Sequence, residues 1–266
     1  MKLVRGFEEV LPIISINVTD ACNFNCSYCI GYHNNINKSK FIKISTLMLF
    51  LKKHIHRPVN IQLVGGEPTL HPKLNKIVEI LVHNNYINQI ALITNLTAPL
   101  HSYNFNNSKV FIVASYHGKN FFKFILKYYK IKTRKIISLN TVKLKLVENV
   151  AVLFDKHNIN YFINPIHDCN GVPLDSIAKK HSKILYMFDW NLKYKTHGNI
   201  LDDNFEILRL NTKDIKCKPL NFLLDIDGTF MNDCFKHIKN IDDNIVVTCP
   251  YKNCKCLELC WYPKYE

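Results

Sequence analysis

The chain has 266 residues, 47% of them hydrophobic, and a formal net charge of +14 from 35 Lys and Arg against 21 Asp and Glu. That length accommodates one barrel-sized domain with a small appendage. No apolar run approaches the ~20 residues that span a bilayer, and Glu8 and Glu9 precede any apolar run, unlike a secretory leader, so a cytoplasmic protein without a membrane partner is expected. The charge invites a nucleic-acid reading, but arginine occurs only at Arg5, Arg57, Arg134 and Arg209, and phosphate and base readers favour the guanidinium fork. Nucleic acid is not expected as a partner.

The first strand, expected over 13–18, runs into Asp20-Ala21-Cys22-Asn23-Phe24-Asn25-Cys26-Ser27-Tyr28-Cys29. Three thiolates at C-x3-C-x2-C spacing suit three irons of a cubane 4Fe–4S cluster and leave its fourth iron open to an outside ligand. A structural zinc normally wants four ligands, often as two separated pairs. Taken alone, the triplet fits either. A helix over 45–56 leads to a buried-type strand over 60–64, which ends on Gly65-Gly66-Glu67-Pro68. The glycines let the backbone approach a ligand closely, and Glu67 suits charge-assisted hydrogen bonds from an ammonium group.

Further along come a helix over 74–84, a strand over 89–94 ending in Thr94-Asn95, and a strand over 110–115 ending in Ser115-Tyr116-His117. A helix over 121–132, a strand over 135–142, a helix over 144–157, a strand over 161–164 and a helix over 174–191 complete the pattern. Such alternation builds an α/β fold with a parallel sheet and right-handed crossovers. Active sites of parallel barrels gather at the C-terminal strand ends, and both motifs fall there. Asp168 and Cys169 follow the sixth strand and are expected at the same mouth. There a thiol suits hydrogen-atom donation and a carboxylate suits a base, while a buried cysteine that only packs is the plain alternative.

The periodicity breaks over 193–203, and six cysteines follow: Cys217, Cys234, Cys249, Cys254, Cys256 and Cys260. Ten cysteines in a cytosolic chain point to metal or redox chemistry rather than disulfides. Alternating apolar residues around Asp227-Gly228 signal a hairpin that brings Cys217 and Cys234 toward each other.

The Cys triplet, with Tyr28 before its last cysteine, and the Gly-Gly-Glu-Pro turn resemble in order and spacing the radical S-adenosylmethionine (SAM) superfamily. The resemblance implies a partial (β/α)6 TIM-type barrel over 1–195 and a small Cys-rich hairpin extension over 196–266. It implies a 4Fe–4S cluster on Cys22, Cys26 and Cys29, with SAM on the open iron. Tyr28, Gly65, Gly66 and Glu67 would then position SAM, and Asn95 and Ser115 would reach its ribose or carboxylate. For those last two, ordinary turn chemistry is the alternative, and His117 reads as a local hydrogen-bonding residue.

The tail resembles the twitch and SPASM extensions of that family, which hold extra clusters. Six thiolates exceed the need of one 4Fe–4S cluster and fall short of two. One auxiliary cluster is expected, on Cys217, Cys234 and Cys260 with Cys254 or Cys256; a zinc knuckle is the alternative.

By resemblance, the enzyme would cleave SAM reductively to a 5′-deoxyadenosyl radical, with an external electron donor such as flavodoxin or ferredoxin. Its expected substrate is a small polar metabolite, sugar- or nucleotide-like, undergoing oxidation or epimerisation. Radical modification of a peptide or protein is the alternative. From a different class, a zinc-stabilised nucleic-acid-binding protein would explain the charge but not the Gly65–Pro68 turn.

Overall fold

The computed structural model describes residues 11–26, 29, 39–103, 105–118, 120–141, 149–150, 152–154, 156–165, 200–201, 207–209, 216–217, 221–232, 247–248 and 264–265. Six strands, β1 (Ile13–Thr19), β2 (Val59–Gly65), β3 (Ile87–Thr94), β4 (Val110–Tyr116), β5 (Lys135–Thr141) and β6 (Tyr161–Pro165), lie side by side in chain order. Every pair along this run is parallel. Between them come α1 (Ile44–His54), α2 (Leu74–Val82) and α3 (Phe121–Lys130). Each strand and helix bound falls within a residue or two of the sequence expectation. Of the helix expected over 144–157, residues 149–150, 152–154 and 156 are helical; the one expected over 174–191 lies outside the described residues. This is the α/β, partial (β/α)6 TIM-type barrel.

Strand alternation sorts the side chains into two layers. Ile14, Ile16, Val18, Ile61, Leu63, Ile90, Leu92, Ile112 and Ala114 face the helices and form the main core. Into it α1 buries Leu47, Phe50, Leu51 and His54, and α2 buries Leu74, Ile77, Val78 and Leu81, one stripe each at helical spacing. On the opposite, inner face Ile13, Ala91, Phe111 and Val113 make a smaller apolar cluster. No helix among the described residues is long and apolar enough to cross a membrane.

The C-terminal part contributes β7 (Ile200–Leu201), β8 (Ile207–Arg209), β9 (Lys216–Cys217), β10 (Asn221–Leu224), β11 (Phe230–Asn232), β12 (Val247–Thr248) and β13 (Lys264–Tyr265). The Asp227-Gly228 hairpin forms as expected: β10 and β11 pair antiparallel, and Gly228 takes φ +92°. Its placement was not foreseen. β10 pairs parallel with β1, Ile13 opposite Asn221 and Ile16 opposite Leu224, so the hairpin continues the barrel sheet past its first strand. The reason is apolar. Phe222 and Phe230 are buried, and the Phe230 ring packs on Phe50 and His54 of α1 at 4.8 and 5.0 Å. A separate antiparallel trio places β9, with Cys217, between β12 and β13.

Candidate active site

The cysteine loop leaves β1 and returns at residue 39, and its neck is tied shut. Thr19 bridges Phe41 antiparallel, Ile42 N–H donates to Val18 O (2.9 Å) and Lys40 N–H to Asp20 Oδ1 (2.7 Å). The Thr19 hydroxyl donates to Lys40 O and accepts from Ala21 N–H. His71 adds a strut from the far side of the next turn. Lys73 N–H donates to its Nδ1, which leaves Nε2 to carry the proton and donate to Ile42 O (3.1 Å).

Within the loop Cys22 and Cys26 are half-buried and Cys29 is exposed, none of the three in a disulfide. Burial pushes the Cys22 thiol above its ordinary value; the Glu67 carboxylate and the Cys29 and Cys26 thiols add to this, while the Phe24 N–H pulls the other way. Three cysteines in a loop of fixed ends are, once deprotonated, a donor set for a cationic centre. A cubane cluster asks for one thiolate per iron, and three cysteines supply three. The donor chemistry therefore fits the cluster. Tyr28 lies outside the described residues.

The Gly65-Gly66-Glu67 turn runs directly under the start of this loop. Gly66 N–H donates to Thr19 O (2.7 Å) and Glu67 N–H to Ala21 O (2.6 Å). A side-chain carbon at Gly65, whose φ is +141°, would stand 2.2 Å from Thr19 O. One at Gly66 would stand 2.1 Å from Ala21 O and 2.5 Å from its carbonyl carbon. The sequence reading gave these glycines to ligand approach; in the fold they let the cysteine loop's backbone cross the turn.

Glu67 is 1% exposed. Its Oε1 accepts from Thr69 N–H (3.1 Å), the Thr69 hydroxyl and the Thr94 hydroxyl (2.6 Å), and its Oε2 from Asn95 N–H (2.7 Å). Burial pushes its pKa up, and these donors act against that rise. Three of these donors converge on Oε1 and one on Oε2, which keeps a lone pair, so Glu67 locks the end of β2 to the end of β3 with one acceptor position to spare. Fully buried Tyr103 brings its ring to the same cluster, and burial followed by the nearby Glu67 charge pushes its pKa up. We expect Glu67→Gln to lower the stability of the cluster-free protein by about 1–3 kcal/mol, because an amide N–H₂ then faces a donor. Urea unfolding checks this; unchanged stability with weakened SAM binding would give the carboxylate to SAM instead.

The β3 end closes the ring. Asn95 Nδ2 donates to Asn23 Oδ1 (2.9 Å), Asn23 Nδ2 to Thr97 Oγ1 (2.7 Å), and Thr97 N–H to Asn95 Oδ1 (3.0 Å). Leu96, between them, takes φ +58°, an uncommon conformation for a non-glycine residue. Asn95 therefore holds the residue next to Cys22. Asn23, Thr69, Thr94 and Thr97 were not singled out from the sequence. Ser115 is buried, opposite Ser138 in register, and alternation sets it on the inner face away from Ala114 and Tyr116. His117 meets the Phe24 ring edge-on at 5.8 Å.

So the structure brings Cys22, Cys26, Cys29, Gly65, Gly66, Glu67 and Asn95 to one end of the barrel, at the C-terminal ends of β1, β2 and β3. Asp168, Cys169, Cys234, Cys249, Cys254, Cys256 and Cys260 lie outside the described residues; Cys217 is placed by its backbone on β9.

The comparisons with known proteins agree with this geometry. The sequence family described as the Radical SAM superfamily matches residues 16–162. The GTP 3′,8-cyclase of Pasteurella multocida (strain Pm70) is 36% identical over 96 residues, 35% of this chain and 28% of that protein. The same-named enzyme of Haemophilus influenzae (strain 86-028NP) is 32% identical over 97 residues, 35% of this chain and 29% of that protein. The chain thus matches less than a third of the length of these relatives. With the family match covering more than half its residues, the chain belongs to the radical SAM superfamily of iron–sulfur enzymes, with a 4Fe–4S cluster and SAM as its cofactors.

Proposed function

We propose that the chain cleaves SAM reductively and turns the resulting radical on a small polar metabolite, sugar- or nucleotide-like, in an oxidation or epimerisation. The observation that carries this reading is the linked scaffold of cysteine loop, glycine turn and β3 end. One carboxylate, Glu67, and one amide, Asn95, fix all three to each other. When bound, the cluster supplies the electron that breaks SAM into methionine and a 5′-deoxyadenosyl radical.

The chain's own residues do the positioning. Cys22, Cys26 and Cys29 would hold three irons. The clasped neck at Thr19–Phe41 fixes the ends of the loop that carries them. The Gly65–Glu67 turn, braced by Thr69 and Thr94, would take the ammonium end of SAM. Ser115 on the inner face would meet its ribose or carboxylate. The inner face carries an apolar cluster (Ile13, Ala91, Phe111, Val113) and, nearer the C-terminal ends of β1 and β2, a polar group. In that group Ser15 donates to Gln62, and Asn17 donates to Asp225 (2.9 Å). A polar wall of this kind suits a hydroxyl- or amine-bearing metabolite, and the partial similarity to GTP 3′,8-cyclases favours a nucleotide-like one. Cys169 as hydrogen-atom donor or Asp168 as base would complete the reaction. We assign residues 196–266, apart from the hairpin shared with the barrel sheet, to a cytosolic protein's auxiliary-cluster extension. Its ligands would be Cys217, Cys234, Cys260 and Cys254 or Cys256.

A labelled extract tests the substrate class without a guess at identity. Reconstituted enzyme is given SAM, reductant and the small-molecule filtrate of host cells grown in deuterated medium. Deuterium should enter 5′-deoxyadenosine, as read by mass spectrometry. Transfer only from the retained polypeptide fraction would favour peptide modification.

A further inference from the structure

Between Glu79 and Glu148 the chain contains no Asp or Glu, and from Lys109 onward that stretch carries nine lysines and Arg134. This segment forms β3, β4, α3 and β5, one side of the barrel. α3 concentrates the pattern, with Lys123, Lys127 and Lys130 and no carboxylate. Phe124 and Tyr128 bury its inner face. Its outer face is apolar: Phe122 is 81% exposed, Leu126 63% and Tyr129 54%. Those three positions stand at i, i+4 and i+7, a single stripe, with exposed Lys123 and Lys130 beside it. Exposed apolar surface of this kind, rimmed by charge, marks an interaction site.

The helix that carries the stripe and the residues just before it are tied to the cysteine loop at two points. His117, just ahead of α3, packs edge-on against Phe24, between Cys22 and Cys26. Lys127 Nζ donates to Thr97 O (3.1 Å) and Ala98 O (2.7 Å), and Thr97 in turn holds Asn23, the neighbour of Cys22.

We propose that this face of α3 docks a small acidic electron-transfer protein, resting on the reaction read above. Each SAM cleavage consumes one electron. It leaves the donor's reduced flavin or iron–sulfur centre, enters at the cluster, and is taken up as the C5′–S bond of SAM breaks to methionine and the carbon radical. No proton accompanies it. A carboxylate-free face steers an acidic partner toward the loop that holds the cluster ligands, and a small apolar stripe gives the weak contact of a transient redox encounter. A polynucleotide is the rival occupant of a basic face. Phe122 and Leu126 at its centre, with lysine rather than arginine around them, favour a protein.

The test uses reconstituted enzyme with a purified flavodoxin and a purified ferredoxin. Binding is measured by calorimetry at low and high salt, and 5′-deoxyadenosine formation is measured with each reduced protein and with dithionite. Lys123→Glu/Lys130→Glu and Phe122→Ser/Leu126→Ser change surface positions only. Each double variant should weaken donor binding and donor-driven cleavage about tenfold, the charge effect fading with salt, while dithionite-driven cleavage stays at the wild-type rate. Equal donor affinity in wild type and variants, or no binding by either donor, overturns the proposal. So does single-stranded RNA binding at these lysines where neither donor binds. Failure of dithionite-driven cleavage in the wild type would instead sink the reaction itself, a separate outcome that leaves the binding readout intact.

Discussion

Gly66→Ala should destabilise the protein by about 3 kcal/mol or more and remove the cluster with it. The added carbon would stand 2.1 Å from Ala21 O, a distance no real contact tolerates. Its neighbour is backbone, held by the 2.6 Å bond from Glu67 N–H, so relief requires Ala21 and the adjoining Cys22 to move. Gly228→Ala is the matched control. There the added carbon meets only Thr46 Cγ2 at 3.0 Å, and the strain of φ +92° remains, for a cost of about 1–2 kcal/mol. Urea unfolding of the cluster-free proteins, with iron analysis after reconstitution, compares the two. Equal stability and equal iron would mean that the glycine turn is not the seat of the cysteine loop.

Cys22→Ala should abolish 5′-deoxyadenosine formation, a larger loss than the ~100-fold that follows removal of an outer-shell partner at a metal site. Cys22 is one of only three protein thiolates for the cluster and the one next to Asn23 in the Asn95 ring. The Cys22→Ala/Cys26→Ala/Cys29→Ala variant should keep the fold, because the neck is closed by Thr19, Asp20, Lys40 and Phe41 rather than by thiols. Iron and sulfide that persist in it would report the auxiliary cluster on the C-terminal cysteines. Zinc in their place would favour a knuckle there. Cleavage by Cys22→Ala at the wild-type rate would move the SAM cluster elsewhere in the chain.

The barrel was legible because its signals are local. Buried-type strands of β-branched residues alternate with helical stripes such as Leu47, Phe50 and Leu51, and run length and β-branching together with period separate them. Cysteine spacing and the Gly-Gly-Glu-Pro turn were legible for the same reason. What joins them was not. Asn23 and Thr97 stand 74 positions apart, and Glu67 and Thr94 27 apart. Such pairs meet only once the register of β1, β2 and β3 is set. Nothing in Asn221-Phe222-Leu223-Leu224 names β1 as its neighbour; the choice comes from Phe230, backed by Phe222, finding Phe50 on α1. Glu67 carried an acidic signal but no sign that Thr69, Thr94 and Asn95 would fill it. Thr69, two residues downstream, is the one clue, since short side-chain-to-backbone bonds of that reach are common at turns.

The central claim is that the Cys22–Cys29 loop, seated on Gly65–Glu67, presents a cluster with an iron open to SAM. Electron paramagnetic resonance of the reconstituted, dithionite-reduced enzyme, recorded with and without SAM, tests it most directly. A reduced-cluster signal that shifts on adding SAM and disappears in the Cys22→Ala/Cys26→Ala/Cys29→Ala variant is the predicted result. A spectrum in which no component responds to SAM, or a SAM-responsive component that survives in that variant, would contradict it.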